Sequence, residues 1–336
     1  MLGIFRNNPF TIAIPLAFYV ALLHASALSG HVPPASETHA GGSLYQAWFL
    51  WIAKDAFWSP LTALLLVIVQ AILVNMLADN FRLLGERNWF PGLFYGLAAS
   101  ALPEFLYLNP ALVATTFVPV SLWRIFNAYQ KPQVTAAIFD GAFWLSVASL
   151  FYPPILWLLI AAYAGYEVVR VFRMQERLVF LAGAFVPLFL GWVWNFWFDM
   201  GAEFRTTQWG NLFQFYRFDL VMTEKEGMKT VLMVAFAVVF VGGLGAFYSR
   251  KGIQAQKFVS VLYWFLAIGG ATAFFHEKWH WEHFLLPAAV MGILLALSFQ
   301  GMRNRLLAEV WHALIFGAVL LLQYFDSMLP LFYSIL

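Results

Sequence analysis

Residues 276–283 read HEKWHWEH and place imidazoles at His276, His280 and His283. On an unbroken α-helix this i, i+4, i+7 spacing puts the three rings on one face. Neutral imidazoles gathered in that way suit a divalent metal. Protonated, and joined by Lys278, they suit the oxygens of a phosphate. A third reading is structural, because Trp279 and Trp281 flank the histidines, and tryptophan collects where a chain meets a membrane boundary. The residue types leave all three open.

A second cluster, SETHAGG, sets Glu37 two residues from His39 between Pro33-Pro34 and Gly41-Gly42, with His31 and His24 upstream. A carboxylate beside an imidazole in a loop held by rigid neighbours is placed to act as a general base; the plain alternative is a solvated loop. Single polar residues then mark the apolar stretches or their ends: Asn75, Glu104, Asp140, Glu167, Asn195 and His312. Ionisable groups at membrane depth are costly, so each draws a functional reading first. Glu104, directly after Pro103 at a broken helix end, is the strongest of them. Glu167 stands three residues before Arg170, the spacing of a structural helical pair. Asp140 lies near the end of its stretch, within reach of the headgroups. Serine triads, phosphate-cradling loops and dinucleotide fingerprints are absent from the sequence.

The elements that must position these residues are membrane spans. The chain has 336 residues, 62% hydrophobic and 11% charged, with 36 Phe, 15 Trp and 13 Tyr, whereas soluble domains carry about 25% charged residues. A net charge of +2 gives no electrostatic footprint for nucleic acid. The absence of cysteine excludes disulfides, thiolate nucleophiles and iron–sulfur ligation. The N-terminal MLGIFRNNPF lacks the pattern of a cleaved leader, so the first apolar stretch is expected to remain as a span.

Spans need about 17–25 apolar residues, and eleven candidates follow: 10–28, 60–79, 90–103, 110–127, 134–152, 154–171, 178–197, 228–248, 258–275, 284–300 and 308–326. Threaded from a cytoplasmic N-terminus, they leave Lys54, Arg205, Arg217, Lys225, Lys229 and Lys278 outside and the other 13 of the 19 basic residues inside, as the positive-inside rule favours. Pro103, Pro110 and Pro119 break the pattern between 90 and 127; irregular backbone at that depth must be packed within protein. Pro153-Pro154 predicts a tight outer turn. The connections 29–59 and 198–227, rich in aromatics, are each expected to contain a helix along the outer leaflet. The expected fold is therefore all-α, a polytopic bundle of about 11 spans forming one transmembrane domain, 1–336, in a bacterial inner membrane.

HEKWHWEHFLLPAAV, GLFYGLAASALPEFLYLNP and GAFWLSVASLFYPPILW together resemble the GT-C superfamily of membrane glycosyltransferases, which take sugars from polyprenyl-phosphate carriers. The resemblance is architectural over most of the chain, and its motifs are short. It implies that Glu37, with His39, serves as the catalytic pair in the first outer loop. It further implies that His276, Lys278, His280 and His283, with Arg205, Arg217 and Glu104, hold the lipid-linked substrate. The paired acids usual in that loop are reduced here to one carboxylate and a histidine, and a large outer acceptor domain is missing. The chain is also similar to an uncharacterised group of bacterial multi-pass membrane proteins. No cofactor is expected beyond a divalent metal on the histidines. The expected partners are membrane lipids, a polyprenyl-phosphate sugar and subunits of a membrane complex. A non-catalytic envelope subunit is the chief alternative; a histidine-rich metal oxygenase and a transporter with a site at broken helices follow it.

Overall fold

A computed structural model describes residues 2–6, 10–30, 41–210, 212, 223–248, 252–275, 280–302 and 304–333. Glu37, His39, Arg217, His276 and Lys278 lie outside the described residues. Within them the chain is all-helical, without strands. The principal helices are α1 (Ala13–Leu23), α2 (Trp58–Asn80), α3 (Phe90–Ala99), α4 (Phe117–Asn127), α5 (Thr135–Ser149), α6 (Leu158–Val169), α7 (Met174–Trp197), α8 (Gly201–Trp209), α9 (Glu224–Tyr248), α10 (Ile253–Ala271), α11 (Ala288–Gly301) and α12 (Arg305–Tyr333).

Four helical stretches among the described residues are long and apolar enough to cross a membrane: Trp58–Asn80, Met174–Trp197, Ile253–Phe275 and Arg305–Phe325. Other apolar stretches form shorter helices, among them Phe90–Ala99 and Ala288–Gly301. The expectation that the proline-broken region packs inside is met: every residue of α3 is buried, as is every residue of the six-residue helix Pro110–Thr115. A proline lacks the N–H that would continue the helical ladder, so these segments stay short and depend on neighbours for their remaining polar groups. Asn109, for example, caps the Pro110–Thr115 helix by accepting from the Leu112 N–H at 2.7 Å.

The two short helices α3 and α11 press against each other at the centre. A Cβ on Gly292 would stand 2.7 Å from the Tyr95 backbone nitrogen, so only glycine permits this approach. Around them, α12 docks through polar clasps. Tyr19 meets His312 at 3.2 Å, and Gln323 accepts from Ser26 at 3.1 Å while donating to the Ser100 carbonyl at 2.9 Å. By contrast α7 turns most of its side chains outward, including Phe185, Phe189, Trp192 and Trp197.

The bundle has two chemically different ends. At one, Arg124 pairs with Asp140 at 3.3 Å, Arg170 with Glu176 at 2.8 Å and Arg177 with Glu167 at 2.7 Å. The expected Glu167–Arg170 helical pair does not form: α6 stops at Val169 and Arg170 is extended, with φ −155° and ψ 169°, which carries its guanidinium off the helical face. The opposite, acid-rich end gathers the turn at Pro153–Trp157, the 3-10 turns Pro103–Leu106 and Trp281–Leu285, α8 and the start of α9. Pro153-Pro154 thus makes the tight turn that its sequence predicts.

Candidate functional site

Glu104 is set on the first turn after Pro103, and its backbone is fixed by Asn109, whose amide donates to the Glu104 carbonyl at 3.3 Å. Its carboxylate receives a hydrogen bond from Lys229. Lys229 also donates to Glu226 at 2.6 Å, an i, i+3 contact along the first turns of α9. The other Glu226 oxygen accepts from the Trp281 indole at 2.5 Å, and the Lys229 ammonium lies 5.8 Å from the Trp281 ring centre. One buried lysine thereby ties α9 to two 3-10 turns remote in sequence. A buried lysine flanked by two carboxylates is the arrangement that offsets the cost of removing its charge from water.

Glu282 and His283 follow Trp281 inward. All three are buried: side chains of a 3-10 turn fan out in three directions, and this turn is packed on several sides, by Pro103–Leu106, Pro110–Thr115, α10 and α11. The Tyr152 hydroxyl and His283 Nδ1 are hydrogen-bonded at 2.8 Å. Glu282 is 5% exposed, and one of its oxygens, like one oxygen of Glu104, has no hydrogen-bond partner among the described residues. Burial, and secondarily the Glu104 carboxylate, push the Glu282 carboxyl up to about 8. It is therefore mostly protonated at neutral pH, a carboxylic acid able to donate a hydrogen bond.

The same junction receives the chain as it leaves the first long connection. Gly42 N–H donates to the Phe151 carbonyl at 2.8 Å and Leu44 N–H to the Leu150 carbonyl at 3.0 Å. Tyr45 then donates to the Leu108 carbonyl at 3.0 Å and lies within electrostatic reach of Glu282. Gly42 leaves no room for a side chain against Leu150. The Gly41-Gly42 pair that ends the Glu37 segment thus abuts residues 150–151, next to the tyrosine that binds His283.

Several sequence expectations are redistributed. Glu104 and His283 stand in one buried cluster, and His280 adjoins it, its ring 6.3 Å from that of His283. The i, i+4, i+7 histidine face does not exist for the described pair: His280 is extended and His283 lies in the 3-10 turn. Among the described residues no three His, Asp or Glu side chains converge to hold a metal ion. Arg205 is elsewhere, lining a groove between the end of α7 and α8 with Trp192, Phe196, Asp199 and Trp209. Lys229, Glu226 and Glu282 were not singled out by sequence reasoning. The signal available for the first two was the Glu-x-x-Lys spacing of 226–229 at the start of an apolar helix.

No protein-family model matches this chain, and no curated protein or solved structure matches it significantly. The site has to be read from its own chemistry.

Proposed function

We propose that this chain is a GT-C-like bacterial inner-membrane protein of about 11 spans, N-terminus cytoplasmic. In this reading it transfers a sugar from a polyprenyl-phosphate carrier to an envelope acceptor at the outer leaflet. The acid-rich end faces outward, and the short helices of its two long connections lie along the leaflet. The observation that carries the proposal is the meeting of Glu104, Lys229, Glu282 and His283 at the junction where the segment bearing Glu37 rejoins the bundle. Glu37, assisted by His39, takes the acceptor proton. Lys229, His280 and His283, with His276 and Lys278 nearby in sequence, favour the departing phosphate as its charge develops. A protonated Glu282 donates to a phosphate oxygen and adds no repulsion, as a carboxylic acid kept neutral by an apolar site can.

The test is sugar transfer in proteoliposomes supplied with a polyprenyl-phosphate sugar. Glu37→Gln is expected to abolish transfer while monodispersity and thermal stability are kept; unchanged transfer removes Glu37 from the mechanism. The wild-type rate is expected to fall as pH rises through about 8, and Glu282→Gln, which keeps a donor, is expected to flatten that fall.

The lightly buried α7, which exposes Trp192, Trp194 and Trp197, supports a second reading as a non-catalytic subunit scaffolding an envelope complex. Purification in native detergent with a stoichiometric partner and no prenyl lipid is the outcome that favours it.

A further inference from the structure

Along the outward face of α7, Phe185, Phe189, Trp192 and Phe196 form a ladder of rings. Phe185 stacks on Phe189 at 5.5 Å, Phe189 meets Trp192 at 6.3 Å, and Trp192 stacks on Phe196 at 5.5 Å. The four are between 45% and 64% exposed and, at 1.5 Å per residue, extend for about 16 Å up a helix long and apolar enough to cross a bilayer. The ladder leads into a groove of about 510 Å³ between α7 and α8. At the head of that groove stand two opposite charges, Asp199 and Arg205. Both are exposed, and neither is in an ion pair within 4 Å among the described residues, so the groove offers one anionic and one cationic group to a ligand. Trp192, Phe196 and Trp209 line the same groove.

A free soluble anion explains Arg205 but not Asp199 or the ladder. An anionic lipid explains Arg205 and the ladder but is repelled by Asp199. A lipid headgroup carrying both a phosphate and an ammonium explains all three: guanidinium to phosphate, carboxylate and aromatic faces to ammonium, and an acyl chain along the exposed rings at the level where the bilayer meets water. We infer that the groove between α7 and α8 is a binding site for a zwitterionic phospholipid of the phosphatidylethanolamine type, with Arg205 on its phosphate, Asp199 on its ammonium and an acyl chain on the Phe185–Phe196 ladder. This inference stands independently of the transferase reading.

The experiment is native mass spectrometry of the full chain in non-ionic detergent, titrated with phosphatidylethanolamine and phosphatidylglycerol of matched acyl chains. The wild type is expected to bind phosphatidylethanolamine about tenfold more tightly, the worth of one charge-assisted hydrogen bond. Arg205→Gln should weaken binding of both lipids by a similar factor. Asp199→Asn should move the preference to phosphatidylglycerol by removing the repulsive carboxylate. Asp199 has φ +58°, a conformation asparagine also tolerates, so that variant preserves the turn; unchanged melting temperatures establish that both variants are folded. Equal wild-type affinity for the two lipids, a wild-type preference for phosphatidylglycerol, or unaltered binding in Arg205→Gln overturns the proposal. Displacement of the lipid by chain-free glycerophosphoethanolamine overturns the part assigned to the ladder.

Discussion

The two ends of this bundle use the same residue types to different ends. At the arginine-rich end, Arg124, Asp140, Arg177 and Glu167 are between 32% and 42% exposed and Arg170 and Glu176 are 14% exposed, and each cation meets one carboxylate. At the acid-rich end, one lysine side chain only 4% exposed serves two carboxylates that are 25% and 27% exposed, with a third, buried carboxyl close by, one oxygen of which has no hydrogen-bond partner among the described residues. Exposed pairs gain little, because water screens the charges and ordering long side chains costs entropy. Buried charges are costly to form and more costly to orphan. The excess of acid at this junction costs stability, which is why the proposed transferase reading is placed at the acid-rich end.

The sharpest way to break the comparison is to remove the lysine. Lys229→Met leaves the carboxylates of Glu104 and Glu226, 25% and 27% exposed, beside Glu282 without their cation, and a destabilisation of about 3 kcal/mol is expected, measured as loss of the folded, monodisperse species in detergent. Adding Glu104→Gln and Glu226→Gln to that variant should recover most of the loss, since the orphaned charges are then gone. If Lys229→Met melts like wild type, the cluster is a solvated surface and the contrast between the two ends disappears.

Next in size is the pH response. The folded-state carboxyl of Glu282 titrates near 8, against an ordinary value of 4.5, so the folded protein holds a proton that the unfolded chain has lost. Stability from this group is complete below about pH 4.5 and declines as pH rises to 8. Between pH 6 and 8 the decline is about 2–3 kcal/mol at 1.36 kcal/mol per pH unit. Thermal melts across that range should show a downward slope in wild type and a flatter one in Glu282→Gln.

A smaller effect is expected at the tyrosine that anchors the late histidine. Tyr152→Phe removes the 2.8 Å bond to His283 and leaves a buried ring nitrogen without that partner, a loss of about 1–2 kcal/mol. The same change should alter the imidazole signal of His283 in NMR while leaving the arginine-rich end untouched.

What the sequence made legible follows from which signals are local. Composition and apolar run length indicated helices in a membrane, and Pro103 and Pro110 flanked the short, fully buried segments Phe90–Ala99 and Pro110–Thr115. Glu104 stood out because a carboxylate after a proline-broken helix end has few bland explanations. Lys229 and Glu226 were hidden because i, i+3 charges on a helix's first turns look the same whether solvated or pressed against a distant turn. Glu282 was hidden by its neighbours: the histidine spacing suggested a helix, whereas His280 is extended and Trp281–Leu285 form a 3-10 turn. That change of backbone period moves Glu282 inward and dissolves the histidine face.

The smallest prediction tests the other side of the comparison. Arg124→Ala removes the 3.3 Å pair with Asp140, whose side chains are 42% and 32% exposed. The expected cost is about 0.2–1 kcal/mol, shrinking further as salt is raised, because dissolved ions reach and screen exposed charges. The Lys229→Met loss should by contrast persist in high salt, since ions do not reach a lysine packed against Trp281 and flanked by two carboxylates. A double comparison of the two variants at low and high salt therefore separates screening from burial. Equal salt sensitivity at the two ends would mean that water enters the acid-rich junction freely, and Glu282 would then have no reason to keep its proton at neutral pH.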